Sequence, residues 1–152
     1  MNTASMITSF VLLVLCAPSA MAETEQEAMN KKIVLDFYDK AINQKDFEAA
    51  NEHLGDTYIQ HNPLAADGPE GLKAFLEFAK TNLPNYRTEF KRVLVDGDFV
   101  VVHAHARANP DDPDDRGSAV MDIFRLENGK VVEHWDVAQP IPEESNNDNG
   151  MF

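Results

Sequence analysis

Cysteine is almost absent from this 152-residue chain, and its one copy, Cys16, lies in an apolar N-terminal run. A disulfide framework is therefore excluded, and the fold must rest on a packed core. Positive charge is scarce as well: 13 Lys and Arg stand against 26 Asp and Glu, a formal net charge of −13. Binding to nucleic acid or to an anionic membrane releases counterions only where Lys and Arg are in excess, so neither is an expected partner. The longest apolar run, residues 6–17, falls well short of the roughly 20 residues that cross a bilayer. Nucleophile elbows are missing too, since Ser118 and Ser145 sit in no strand–turn–helix motif. No internal repeat is visible.

The apolar run opens what the chain does contain. Residues 1–22 carry no charged side chain and end in Pro18, Ser19 and Ala20-Met21-Ala22, directly before Glu23. A short apolar stretch closed by a small-x-small site reads as a secretory signal, so the expectation is export to the periplasm or beyond the cell. Cys16 follows Leu15, where a lipid-modified cysteine would need a small residue. Residues 23–142 are then expected to form one domain and residues 143–152 a polar tail with an apolar end, Met151-Phe152. A domain of this length buries about two-thirds of its unfolded surface, enough for a core.

Between Glu23 and Gln44, Met29, Ile33, Phe37 and Ala41 recur every four residues, with charged residues filling the opposite face. This period predicts an amphipathic helix. Asp46 caps a second helix over 47–54, ended by Gly55. Residues 57–60 read as a short extended piece stopped by His61-Asn62-Pro63. Pro69 opens a third helix whose apolar face is Leu72, Phe75, Leu76, Ala79 and Leu83. From Tyr86 the period falls to two. Strands over 86–95 and 99–108 flank Asp96-Gly97-Asp98, and strands over 118–126 and 131–139 flank a turn containing Asn128-Gly129. The order predicts an α+β domain, three N-terminal helices packed on a curved antiparallel sheet with a small-molecule cavity between the layers.

Polar residues among apolar strand positions mark the candidate chemistry. Asp122 shares a face with Val120, Phe124 and Leu126, where lost solvation would raise its pKa into the range of a general acid or base. Pairing with an Arg or Lys on a half-exposed strand would explain it equally. His134 and Asp136 share a face of the last strand and could form an acid/base pair. The pattern favours a solvated or dimer-facing surface for them, with Trp135 in the core. His61 precedes the Asn62-Pro63 turn and can point into the mouth of the cavity or bond the turn. Tyr38, Tyr58, Asn62, His103, Phe124 and Trp135 complete the expected lining. His103-Ala104-His105 has the geometry of half a metal site, but no Glu follows at ligand spacing, and no metal is expected. The acidic run 111–115 lacks the Gly and Glu of a calcium loop.

Three strings carry a family resemblance: Tyr58-Ile59-Gln60-His61-Asn62-Pro63, Gly68-Pro69-Glu70-Gly71, and the long run from Asp122 to Asp136. Together with the element order, they make the chain resemble the SnoaL-like polyketide cyclase group of the nuclear-transport-factor-like superfamily. That resemblance implies a cone-shaped α+β domain with an apolar pocket, a homodimer formed through the outer sheet face, and catalysis without metal or organic cofactor. It also implies an intramolecular aldol condensation, in which a carboxylate removes a proton α to a carbonyl and nearby polar groups stabilise the oxyanion. On this sequence the matching carboxylate is Asp122, with His61 and His105 as its hydrogen-bonding partners. The expected ligand is a small apolar or carbonyl-containing molecule. Members of the superfamily also isomerise, hydrate, hydrolyse or merely bind, so the fold names no single reaction.

Overall fold

The computed structural model describes residues 22–152, so all but the last residue of the expected export signal lies outside the described residues. Helix α1, Glu25–Tyr38, starts in a reciprocal capping box. The Thr24 hydroxyl accepts the Glu27 N–H at 3.2 Å and the Glu27 carboxylate accepts the Thr24 N–H at 2.8 Å. Glu27 also accepts the Gly97 N–H at 3.0 Å, and buried Asn30 donates to the Gly97 carbonyl at 3.0 Å. These bonds tie the start of α1 to a strand turn, and the opposite end carries Tyr38 inward.

The helical pattern does run on to Gln44, but its last stretch, Asp39–Gln44, is π-helical. The wider turn places Ala41 and Ile42 against a cavity and ends at Lys45, which holds a left-handed φ of 56°. π-turns of this kind recur at functional sites. Helix α2, Phe47–Asn51, is capped by Asp46, and α3 spans Gly68–Asn82 with Pro69 in its first turn.

Five strands form one sheet in the order β1-β5-β4-β3-β2: β1 Leu54–Gln60, β2 Arg87–Asp96, β3 Phe99–Arg107, β4 Ser118–Glu127 and β5 Lys130–Pro140. The sheet is mixed, which corrects the all-antiparallel expectation: β1 runs parallel to β5 at the edge, while the other pairs are antiparallel. The second helix is also shorter than its sequence suggests, because Leu54 and Gly55 belong to β1. Gly55 is what admits β1 here, since a Cβ at that position would stand 2.7 Å from Val132 Cγ1.

The core fills the space between α1, α3 and one sheet face. Val34, Phe37, Tyr38 and Ala41 from the helical side meet Val100, Val102, Ala104, Phe124 and Leu126 from the strands. The turn between β4 and β5 is of the expected Asn-Gly kind, with φ of 51° at Asn128 and 73° at Gly129. Two bulges in the antiparallel ladders set the faces there, and β1 carries a further register shift between Leu54 and Ile59. One bulge lies at Lys91 in β2; the other lies at Val132 in β5, where Leu126 opposes Val131 but Arg125 opposes Glu133. The second bulge buries both Val131 and Val132 and shifts every later residue of β5 to the face opposite the one an unbroken hairpin would give it. The apolar end of the tail is not free: Phe152 packs against the rings of His103 and His105 on the outer face.

Candidate active site

A cavity of about 160 Å³, partly open to solvent, lies between the inner sheet face and the helices. A closed apolar cavity of about 150 Å³ is known to hold benzene, which sets the scale of what fits. Its apolar walls are Phe37, Ala41, Ile42, Leu72, Phe75, Val120 and Phe124. Its polar groups converge on one spot: Asp122, His134, Asp136, Tyr38, Tyr58, Gln60 and Asn62.

Asp122 is 3% exposed. Its Oδ1 lies 3.1 Å from His134 Nε2, and its Oδ2 accepts the Tyr38 hydroxyl at 3.1 Å. Burial raises its pKa above the ordinary carboxylate value, against the opposing pull of the hydrogen bonds from His134 and Tyr38. His134, 8% exposed, stacks on Phe124 at 4.6 Å and reaches Gln60 Oε1 with its other ring nitrogen at 3.0 Å. Gln60 Oε1 also accepts the Asn62 backbone N–H at 2.9 Å, and Asn62 Nδ2 donates to Asp136 Oδ2 at 2.9 Å. The Gln60 backbone N–H is itself held by the Asp67 carboxylate at 2.7 Å, which fixes the end of β1. The Tyr38 phenol is pushed well up by burial and by Asp122; Tyr58 and Tyr86 move the same way, chiefly through burial. All three hydroxyls therefore stay protonated at neutral pH and can act as donors.

Strand period and register bring these groups together. Asp122 pairs with Val102 on one side and Asp136 on the other, and Phe124 pairs with His134. The inward face of β4 thus presents Val120, Asp122, Phe124 and Leu126. The Val132 bulge turns His134, Asp136 and Ala138 to that same face, which corrects the expectation that His134 and Asp136 lie on the outer surface. Trp135 is corrected with them: it leaves the core side and stacks on His61 at 4.6 Å outside the cavity.

His61 does not join Asp122. Its Nε2 lies 2.9 Å from Glu133 Oε1, and its side chain is 41% exposed. His105 is likewise outside, donating to the Arg116 carbonyl at 2.8 Å, and His103 receives a hydrogen bond from Arg92 at 3.2 Å. The reason is the alternation of β3: Val100, Val102, Ala104 and Ala106 are the buried face, leaving the two histidines on the other. Tyr38, Tyr58, Asn62 and Phe124 do line the cavity. Sequence reasoning missed Gln60 altogether, although its alternation with Tyr58 along β1 places both on one face.

Asp122, His134 and Asp136 are also, among the described residues, a cluster whose donor atoms all lie within 4.8 Å, the reach of a metal ion's ligands. His134 Nε2, however, is already engaged with Asp122 Oδ1. A buried carboxyl sharing a hydrogen with an imidazole can take a proton from, or return one to, a bound molecule.

Helices on one face of a mixed sheet thus enclose a small cavity with a buried Asp–His pair in its wall. The SnoaL-like domain model matches residues 34–134, and the chain belongs to that family. Solved structures agree on the fold. A protein from Jannaschia sp. CCS1 described as a SnoaL-like polyketide cyclase superposes with a TM-score of 0.65 at 23% identity, covering 78% of this chain and 90% of that one. TsrD from Streptomyces laurentii gives a TM-score of 0.60 at 22% identity over 73% of this chain and 88% of its own. A SnoaL-like protein of unknown function from Burkholderia thailandensis E264 gives 0.60 at 17% identity over 77% and 98%. No curated protein sequence matches the chain.

Proposed function

We propose that the protein is a cofactor-free enzyme of proton-transfer type, acting on a small carbonyl compound, with Asp122 and His134 as its acid/base pair. The observation that carries this reading is the Asp122–His134 contact of 3.1 Å at the floor of an apolar cavity. As carboxylate, Asp122 removes a proton α to the carbonyl. The enolate so formed attacks a second carbonyl, protonates at another carbon, or returns to the starting compound, giving aldol-type, isomerase or exchange chemistry. Tyr38, Tyr58 and Asn62 are the neutral donors available to a developing oxyanion. A module that only binds apolar molecules needs the cavity but gains nothing from an ionisable pair in its wall, and burying that pair costs stability. The uncharged, apolar residues 1–22 ending in Ala20-Met21-Ala22 support a location in the periplasm or outside the cell. Leu94, Phe99, Met121 and Val137, exposed on the outer sheet face, support a homodimer formed there.

The test is α-proton exchange in D2O, followed by NMR, across a panel of small ketones and aldehydes. Wild type should exchange at least one of them, and Asp122→Asn should be slower by about 10²–10⁴ while keeping its circular dichroism spectrum. Exchange that survives Asp122→Asn, or ligand binding with no exchange of any panel member, sinks the reading.

A further inference from the structure

We infer that Gln60 is a positioning residue that fixes His134 as the Nδ1–H tautomer, so that Asp122 and His134 hold one mobile proton between them. The geometry leaves little choice. The Asn62 backbone N–H can only donate, and it reaches Gln60 Oε1 at 2.9 Å, so the oxygen end of this amide is the one turned toward His134. The nitrogen end faces the Tyr58 hydroxyl at 3.4 Å. An amide oxygen only accepts, so His134 Nδ1, 3.0 Å from it, must carry a hydrogen.

The consequence falls on the other ring nitrogen. With Nδ1 protonated, a neutral His134 presents a bare lone pair at Nε2 to Asp122 Oδ1, 3.1 Å away. A carboxylate opposite that lone pair would be acceptor against acceptor. One proton therefore sits in the gap, as a carboxylic acid donating to imidazole or as an imidazolium donating to carboxylate. The groups facing the pair from each packed element are Tyr38 from α1, Tyr58 from β1, Tyr86 ahead of β2 and Asp136 from β5; the second anion favours retention of the proton, the Tyr38 hydrogen bond opposes it, and among the described residues no Lys or Arg lines the cavity. In the imidazolium–carboxylate form Asp122 takes a proton from carbon, while His134 keeps the one already in the gap, and the carboxyl then returns a proton at the same or another carbon. This supplies what an aldol or isomerisation step needs, one proton off carbon and one back. The tautomer itself follows from the hydrogen bonds alone; only its catalytic use rests on the proposed proton-transfer activity.

The experiment is long-range 1H–15N NMR on protein with 15N-labelled histidine, with the five histidines assigned by substitution. Wild-type His134 should show a protonated Nδ1 across neutral pH. Gln60→Leu removes the acceptor and should move His134 toward the Nε2–H form, donating to an ionised Asp122. Gln60→Glu keeps an acceptor oxygen for both the Asn62 N–H and His134 and should retain the Nδ1–H form. In the exchange assay, Gln60→Leu should fall by between about tenfold and 10⁴-fold, with its acid limb moved to lower pH. A role in folding alone would lower the melting temperature without moving that limb. An Nε2–H tautomer in wild type, or a His134 spectrum unchanged by Gln60→Leu, overturns the inference. The tautomer result together with absent exchange would uphold the positioning and discard the enzyme.

Discussion

Replacing Asp122 by Asn should stabilise the protein at neutral pH while destroying its activity. Asn has the same shape, its oxygen can accept the Tyr38 hydroxyl that now reaches Asp122 Oδ2 at 3.1 Å, and its Nδ2–H can donate to His134 Nε2. The substitution removes only the ionisable group. Burial raises the folded carboxyl above its ordinary value of 3.8, the value expected in the unfolded chain. The unfolded state therefore ionises first as pH rises, and it is favoured by that amount. The Asp122 contribution is fully favourable below the unfolded pKa, declines through the interval between the two pKa values, and is lost above the folded one. Each unit between them corresponds to about 1.4 kcal/mol. In a domain of this size 1 kcal/mol moves the melting temperature by about 2–6 °C. The other carboxylates, among 26 acidic residues, impose their own pH dependence, so the informative quantity is the difference between variant and wild type. Thermal melts from acid to neutral pH should show Asp122→Asn gaining on wild type as pH rises and then levelling off. A flat difference, or one that turns against the variant with rising pH, would refute the claim that burial dominates at this carboxyl.

Other substitutions probe separate parts of the argument. Tyr38→Phe removes one donor from Asp122 at a cost of about 1–3 kcal/mol and pushes the carboxyl further up, so the acid limb of the exchange profile should move to higher pH. Gly55→Ala places a Cβ 2.7 Å from Val132 Cγ1 and should cost about 1–3 kcal/mol by denaturant melt, recovered in part by a second change, Val132→Ala. Ala41→Leu extends a buried side chain that lines the 160 Å³ cavity; it should abolish small-ketone exchange and ligand binding while the fold, read by circular dichroism, remains.

The strands, their alternation and the Asn128-Gly129 turn were legible in the sequence because they depend on residues near one another in the chain. Asp122 stood out among Val120, Phe124 and Leu126, but a half-exposed strand position fitted that pattern equally, and the tertiary packing is what buries it. The two faces of β3 were legible too, and the four small apolar residues from Val100 to Ala106 already marked its core side. Packing the helices on that side is what leaves His103 and His105 outside the cavity, against the expectation. β1 was harder, since its parallel place beside β5 depends on a fit between Gly55 and Val132, residues far apart in sequence.

The partner of Asp122 was beyond local reading. Counted outward from the turn without interruption, the β4–β5 hairpin sets Trp135 opposite Asp122 and sends His134 outward. One extra residue at Val132 reverses this: Asp136 opposes Asp122, and His134 reaches it across the strand pair. A strand has period two, so a single bulge exchanges every later side chain between core and surface. Nothing in the run from Lys130 to Asp136 announces that bulge. The sequence by itself determined an α+β domain and marked Asp122 as an aspartate among apolar strand neighbours. The tertiary structure decided what it meets, because burying Val131 beside Leu54 and Val132 against Gly55 is a property of strands packed side by side.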